Sequence, residues 1–263
     1  MDPIEKAFYK ALRQEETDTE TLLVFGDWLQ EKNDPRWEII SLMVTLESGK
    51  SKDPSAVNKR LAQLNKENRE RILYLPDYAL TSVEVRWKYG FVFSIEVHGL
   101  KGLNILSKQI VPAIDPKKLN SLYYLGFDDF RQLEFPEWIA QLSDLSVLNL
   151  NDCNLTEIPS WIGNLTELRS LYLSNNSLTK IPNSISNLNQ LKELDFSYNK
   201  IGEIPDSIKS LRQLRELEFT STGLAKVPNW IGNLKQLRIL DLSYNSLTEL
   251  PATIGKLGQL YEL

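Results

Sequence analysis

One period constrains this chain more than any other feature. A 23-residue phrase is written six times in succession, opening at Leu122, Leu145, Leu168, Leu191, Leu214 and Leu237, and a seventh copy opens at Leu260 and reaches Leu263. Self-similarity at a fixed period of about 20 to 50 residues is the signature of a solenoid. The copy from Leu168 to Gln190 reads LRSLYLSNNSLTKIPNSISNLNQ, and Leu168, Leu171, Leu173, Leu178, Ile181, Ile185 and Leu188 are its inward set. Around Leu171 and Leu173 apolar and polar residues alternate with period two, which predicts a short strand with one buried face. Pro182 forbids a following central strand, so the return limb is predicted as a loop or short helical turn. A unit this small cannot enclose its own leucines. Stacking the units aligns the strands as a parallel sheet and closes one core between sheet and return limbs.

Where each strand turns away, Asn176, Asn199 and Asn245 recur. A side-chain amide there can bond backbone groups that the bend leaves unpaired. Cys153 takes the slot in the second copy, which favours a structural role over a reactive thiol.

The frame L-x-x-L-x-(L/F)-x-x-(N/C/x)-x-(L/I)-x-x-(I/L/V)-P-x-x-I-x-x-L-x-x resembles the leucine-rich repeat family. Its Ile-Pro-x-x-Ile limb is similar to the 23-residue class found in plant Ras-group-related and many bacterial repeat proteins. The resemblance covers residues 122–263. It implies an α/β fold, a curved solenoid with a parallel sheet on the concave side, and a partner-binding role without catalysis.

Composition narrows the function classes. Apolar residues make up 42% and charged residues 25%, and the formal net charge is −5. The balance gives no global attraction for nucleic acid or an anionic membrane. A single cysteine excludes an internal disulfide framework and fits a reducing compartment. The amino terminus lacks the apolar run of a signal peptide, and no stretch approaches the ~20 apolar residues of a membrane span. A cytoplasmic protein is the expectation.

Residues 1–75 read as a small helical domain. Asp2 and Pro3 open a helix with Ile4, Ala7, Phe8, Ala11 and Leu12 on one face. A second is expected over 19–30 with Leu22, Leu23, Phe25, Trp28 and Leu29 as core candidates. A third runs over 35–47, burying Ile39, Ile40, Leu42 and Met43, and Asp53-Pro54 caps a fourth over 55–71 with a narrow stripe at Val57, Leu61 and Leu64. Within this segment Asp27-Trp28-Leu29, Asp34-Pro35-Arg36 and Ile39 to Leu42 resemble a short domain that accompanies repeats in some bacterial proteins. That resemblance implies coupling to a repeat array and gives no activity. Asn33 and Trp37 stand where that family usually has glycine, and asparagine tolerates a left-handed turn. Asp27 and Arg36 flank the corner between two helices, as a structural ion pair or as a recognition site.

Residues 76–121 are expected to form a strand-rich cap and an irregular first repeat. The alternation at Val83, Val85 and Trp87, then at Phe91, Phe93, Ile95 and Val97, predicts a hairpin about Tyr89-Gly90 that covers the open edge of the solenoid. Residues 104–121 read as a helix-bearing first repeat. Phe130 and Phe135 make the copy at Leu122 atypical, as terminal repeats usually are. At the other end Leu263 follows the strand of a seventh copy. Either the sequence is a piece of a longer chain, or its end pairs with another molecule, or 260–263 is a minimal edge strand.

The inventory offers little chemistry. His98 is the only histidine and lies far in sequence from Cys153, so neither a histidine metal cluster nor a Cys/His pair is expected. Gly49-Lys50-Ser51 matches only the tail of a phosphate loop, with Val44 at the required first glycine and a helix in place of a strand. No enzyme activity, cofactor or metal is expected.

A surface can be argued instead. Reading the copies in register, the slot before the second leucine holds Tyr124, Val147, Ser170, Glu193, Glu216 and Ile239. The next outward slot holds Gly126, Asn149, Tyr172, Asp195, Glu218 and Asp241. Beyond the third leucine lie Asp128, Asn151, Ser174, Ser197, Thr220 and Ser243, then Asp129, Asp152, Asn175, Tyr198, Ser221 and Tyr244. Carboxylates at Asp128, Asp129, Asp152, Glu193, Asp195, Glu216, Glu218 and Asp241 share this face with Tyr124, Tyr172, Tyr198 and Tyr244. No lysine or arginine lies in the four columns. Tyrosines anchor interfaces and clustered carboxylates steer basic partners.

The expected function is therefore non-catalytic binding of a protein or peptide, with a basic one favoured, by the concave face. Tyr124, Asp128, Asn149, Asn151, Asp152, Tyr172, Glu193, Asp195, Tyr198, Glu216, Glu218, Asp241 and Tyr244 are the contact residues. Arg169, Lys192, Arg215 and Arg238 fill the adjacent column, so a self-neutralised, solvated face is the alternative. Trp138, Trp161 and Trp230 share one slot on the return limbs, where they pack over neighbouring limbs or form a convex self-association surface. A second reading of the whole chain is a recruiting or spacer fragment of a larger regulatory protein.

Overall fold

A computed structural model of the chain describes residues 3–12, 19–72, 83–88, 91–98, 122–128 and 137–263. Two compact units form, residues 1–95 with 105–123 and residues 96–104 with 124–263.

The first unit contains helices α1 (Pro3–Leu12), α2 (Thr19–Glu31), α3 (Arg36–Glu47) and α4 (Pro54–Ile72), with strand β1 (Val83–Lys88). Phe8, Leu22, Phe25, Leu29, Ile40 and Val44 make one cluster, against which Trp28, Trp37 and Met43 pack partly buried. Phe8 and Phe25 stack with centroids 3.6 Å apart. Val44 takes the place expected for Leu42 and Met43, because Ile40 and Val44, four apart, share the face that α3 turns to this cluster. Leu23 stays 47% exposed, one residue off the stripe of Leu22, Phe25 and Leu29. Asn33 adopts φ 55°, the left-handed turn that asparagine tolerates. Arg36 pairs with Asp34 and not across the corner with Asp27. The Asp34 carboxylate accepts the Arg36 backbone N–H at 3.0 Å and its guanidinium at 2.9 and 2.6 Å, while Asp27 points outward from α2. The Asp53 side chain caps α4 by accepting from Ala56 N at 3.0 Å, and Arg60 ties α4 to Glu38 of α3 at 2.9 Å.

Strand β2 (Phe91–His98) follows β1 as the alternation predicts. The Tyr89-Gly90 turn, Asp2, the irregular repeat over 104–121, and Asp129, Phe130 and Phe135 lie outside the described residues, as do the side chains of His98 and Asp128.

The second unit is built by the period. Strands β3 (Tyr124–Asp128), β4 (Val147–Asn149), β5 (Ser170–Tyr172), β6 (Glu193–Asp195), β7 (Glu216–Glu218) and β8 (Ile239–Asp241) pair in parallel, each with the next copy. Leu171, Leu194 and Leu217 sit opposite one another at 0%, 1% and 0% exposure, which fixes the inward register. Each return limb is one short 3₁₀ turn preceded by Pro159, Pro182, Pro205, Pro228 or Pro251. The ring presets φ, and the proline carbonyl accepts the N–H of the isoleucine three residues on, at 2.9 to 3.1 Å. That closes the turn with Ile162, Ile185, Ile208 and Ile231 wholly buried. Neighbouring limbs approach so closely that a Cβ at Gly163 would stand 2.6 Å from the Ser184 carbonyl, and one at Gly232 would meet that of Thr253. The tryptophan slot is filled by the smaller Ser184, Ser207 and Thr253 in the other copies, and the Trp230 indole N–H reaches the preceding limb at Asp206, 2.9 Å away.

The asparagine column is the spine of this stack. Asn176 Oδ1 accepts from Leu155 N at 2.8 Å and Cys153 N at 3.2 Å, while Nδ2 donates to Leu150 O, Leu173 O and Ser174 O at 2.8, 2.9 and 3.1 Å. Asn199 and Asn245 repeat the pattern one and three copies on. Cys153 is fully buried, its thiol directed at the carbonyls of Asn151 and Phe127, and Thr222 serves the slot in the fifth copy.

Candidate partner-binding face

The parallel register turns the repeat columns into rows of side chains across the sheet, neighbouring members about 4.8 Å apart. One row runs Tyr124, Val147, Ser170, Glu193, Glu216 and Ile239, and the bridge from Ile239 extends it to Glu262. The other runs Gly126, Asn149, Tyr172, Asp195, Glu218 and Asp241. Glu262 was legible in the sequence, since the period carries it into the glutamate column, yet the sequence map stopped one copy short.

The amino-terminal half of this face is pinned by its own bonds. Tyr124 lies over Gly126, where a Cβ would meet its hydroxyl at 2.7 Å, and that hydroxyl accepts from Asn149 Nδ2 at 3.3 Å. The Tyr172 hydroxyl donates to Glu193. Burial first, then that bond and the negative charge of Glu193, pushes the Tyr172 phenol well above its usual range. Asn149, Asp195 and Asp241 each fold back to accept the N–H two residues on, at 3.0, 2.7 and 2.9 Å, which caps the strand end. Their oxygens thus serve the fold as well as the surface. Glu218, equivalent in register, makes no such turn bond among the described residues, for Thr220 N donates to Ser197 Oγ at 3.3 Å.

The columns beyond the third leucine are less available than the alternation implied. Ser197 and Thr220 are 4% and 6% exposed because the chain bends inward there, and Asn151 Oδ1 is occupied by Ser174 N at 2.7 Å. Asp128 closes β3, and its side chain, with Asp129, is outside the described residues. The next column adopts positive φ throughout, at Asp152, Asn175, Tyr198, Ser221 and Tyr244, with φ between 53° and 57°. The backbone N–H groups of Asp152, Asn175, Tyr198 and Ser221 each donate to the following copy, which holds this left-handed corner in place. Asp152 bonds Asn175, whereas Tyr198 and Tyr244 stand 54% and 85% exposed. Tyrosine carries no sequence signal for φ > 0, and only Asp152 and Asn175 in this column are residue types that favour it.

Charge divides between the two rows. In the first, Glu216 is raised on balance, since burial and Glu193 lift it by more than Arg215 and Arg238 lower it. The basic column is itself crowded, for burial and the flanking Arg169 and Arg215 lower Lys192. In the second row no cation intervenes. Burial, then Asp195, Asp241, Glu216 and Glu262, push Glu218 up to about 7. Asp241 goes the other way: burial would raise it, yet hydrogen bonds from the Ser243 N–H and the Ser243 and Thr220 hydroxyls lower it on balance. Cations thus temper Glu216 in the first row, whereas burial and neighbouring carboxylates alone act on Glu218 in the second.

A stability consequence follows. An unfolded glutamate releases its proton near about 4.3, so the folded chain binds this proton more tightly, and the penalty for ionising Glu218 is absent below that pH and complete above about 7. After solvent screening the penalty is about 1 kcal/mol. Glu218→Gln is expected to gain about that much at pH 8 and nothing at pH 4, measured by urea unfolding at both values. An equal effect at the two would contradict the crowding.

No helix among the described residues is long and apolar enough to cross a membrane, and among them no group of three or more His, Cys, Asp and Glu could hold a metal ion. A leucine-rich repeat protein of Leptospira interrogans, LIC12759, superposes with a TM-score of 0.56 at 24% identity, over 77% of this chain and 56% of that one. An internalin of Listeria monocytogenes matches at 0.44 and 23%, over 63% and 57%. The chain thus spans little more than half the length of either. No curated protein matches it. The model of the leucine-rich repeat region matches residues 111–200 and 205–263, and a single leucine-rich repeat model matches 190–211. With more than half of its length in that match, and the sheet and limbs arranged as described, the chain belongs to the leucine-rich repeat family.

Proposed function

We propose that this protein is a non-catalytic binding module whose concave sheet face takes a basic protein or peptide segment. The observation that carries the reading is the row of Asp195, Glu218 and Asp241, in register on neighbouring strands, with Glu218 raised by burial and by the carboxylates around it. A protein that keeps like charges half-buried side by side loses stability for it, and a cationic partner offsets that loss on binding. Tyr172 and the tyrosines at the edge add apolar contact area beside the charges. The remaining contact candidates at Asn149, Asn151 and Asp152 belong to the strand-end and corner bonds, so they shape the face more than they contact a ligand.

The test keeps the turn caps intact. Asp195→Asn, Glu218→Gln and Asp241→Asn together preserve the accepting oxygens while removing the charge. Titrated with a short capped peptide alternating glycine with arginine at low salt, the triple variant is expected to bind at least about tenfold more weakly than the native chain. Equal affinity removes the acidic row from the function.

A further inference from the structure

The two exposed tyrosines of the corner column have a geometry that the acidic row alone does not require. Tyr198 and Tyr244 occupy the same repeat slot two copies apart, and Ser221 is the residue between them. All three share one backbone conformation, φ 56°, 53° and 56°, and Tyr198 N and Ser221 N are fixed by bonds to Thr220 O at 2.7 Å and Ser243 O at 2.9 Å. Two strand spacings put the tyrosine backbones roughly 10 Å apart. Between them the small Ser221 puts no bulky side chain beside the two exposed tyrosines. A left-handed tyrosine is costly, since bulky residues disfavour positive φ and asparagine or glycine would serve the turn better. Asn175 fills the slot in the third copy without that cost. Three residues earlier on the same copies lie Asp195, Glu218 and Asp241.

We infer that Tyr198, Ser221 and Tyr244 form a subsite for one arginine side chain of the partner, its guanidinium lying between the two rings and directed toward the Asp195–Glu218–Asp241 row. Guanidinium is planar and weakly hydrated, so it stacks on aromatic faces while its edge donates to carboxylate, whereas ammonium is a compact, strongly hydrated charge that gains less from a slot. The inference rests on the basic-partner reading and adds arginine over lysine to it.

The experiment compares three capped peptides of one length on the full chain, glycine alternating with arginine, with lysine, or with citrulline, the last matching arginine in shape without its charge. The arginine peptide is expected to bind about fivefold tighter than the lysine peptide and far tighter than the citrulline one. Tyr198→Ala and Tyr244→Ala are each expected to lower arginine affinity about two- to fivefold, the worth of one exposed cation-aromatic contact, and to leave lysine affinity nearly unchanged. Ser221→Tyr, which puts into the slot a residue its neighbours already carry at this φ, is expected to abolish the arginine preference while the chain stays folded. Equal binding of arginine and lysine peptides, unmoved by the three variants, overturns the subsite and leaves the acidic face standing. Binding of neither peptide at low salt overturns both.

Discussion

Asn176→Ala is expected to lower the unfolding free energy by about 3 to 5 kcal/mol, the largest effect of any polar substitution in the repeats. The side chain is 8% exposed and makes five hydrogen bonds to backbone groups of two successive copies. Alanine leaves Leu155 N, Cys153 N and Leu150 O unpaired in the interior, at about 1 to 3 kcal/mol for each buried group that water cannot reach. Because each copy is stabilised only by its neighbours, the loss falls on the interface between copies and spreads through the stack. Asn175→Gly, next door and exposed, keeps the left-handed corner and is expected to change stability by less than about 1 kcal/mol. Urea unfolding of both variants decides it. A cost near that of Asn175→Gly for Asn176→Ala would mean that the column is not what joins the repeats.

The second large effect runs in opposite directions for folding and for binding. Glu218→Lys places a cation between Asp195 and Asp241, so crowding turns into attraction, and the chain is expected to be about 1 kcal/mol more stable at pH 8. The same change puts a positive charge at the centre of the proposed contact and is expected to weaken binding of the arginine peptide by about 100-fold, roughly 2.7 kcal/mol, within the range for interfacial charge pairs. A variant that is better folded and bound less tightly cannot be explained by damage to the fold. Loss of both stability and binding would contradict the placement of Glu218.

The fold was legible because the period supplied the register. Leu171, Leu194 and Leu217 had to lie inward together, and Asn176, Asn199 and Asn245 had to satisfy the bend they share, so neither the sheet nor the spine depended on any single residue. The face was legible only in part. Alternation gave the two rows on the strands correctly, but it was carried past the third leucine, where the chain bends inward and buries Ser197 and Thr220. Which carboxylates have a cation acting on them could not be read from columns either. Arg215 and Arg238 reach Glu216 and do not act on Glu218, a difference made by side-chain direction on one strand of three residues. In the helical unit the same limit shows at Arg36, where Asp34 two residues away outcompeted Asp27 because its carboxylate also accepts the Arg36 backbone N–H.

Proton release on binding tests the central claim most directly. Below about pH 7 a share of the Glu218 side chains carries a proton, and a cation seated against the row favours the ionised form, so that proton must leave as the partner arrives. Calorimetric titration of the native chain with the arginine peptide, in two buffers of different ionisation enthalpy, is expected to show release of a fraction of a proton per complex below that pH. The release is expected to vanish in Glu218→Gln. Binding with no proton released, or with the same release after Glu218→Gln, would contradict an acidic concave row as the place where the partner sits.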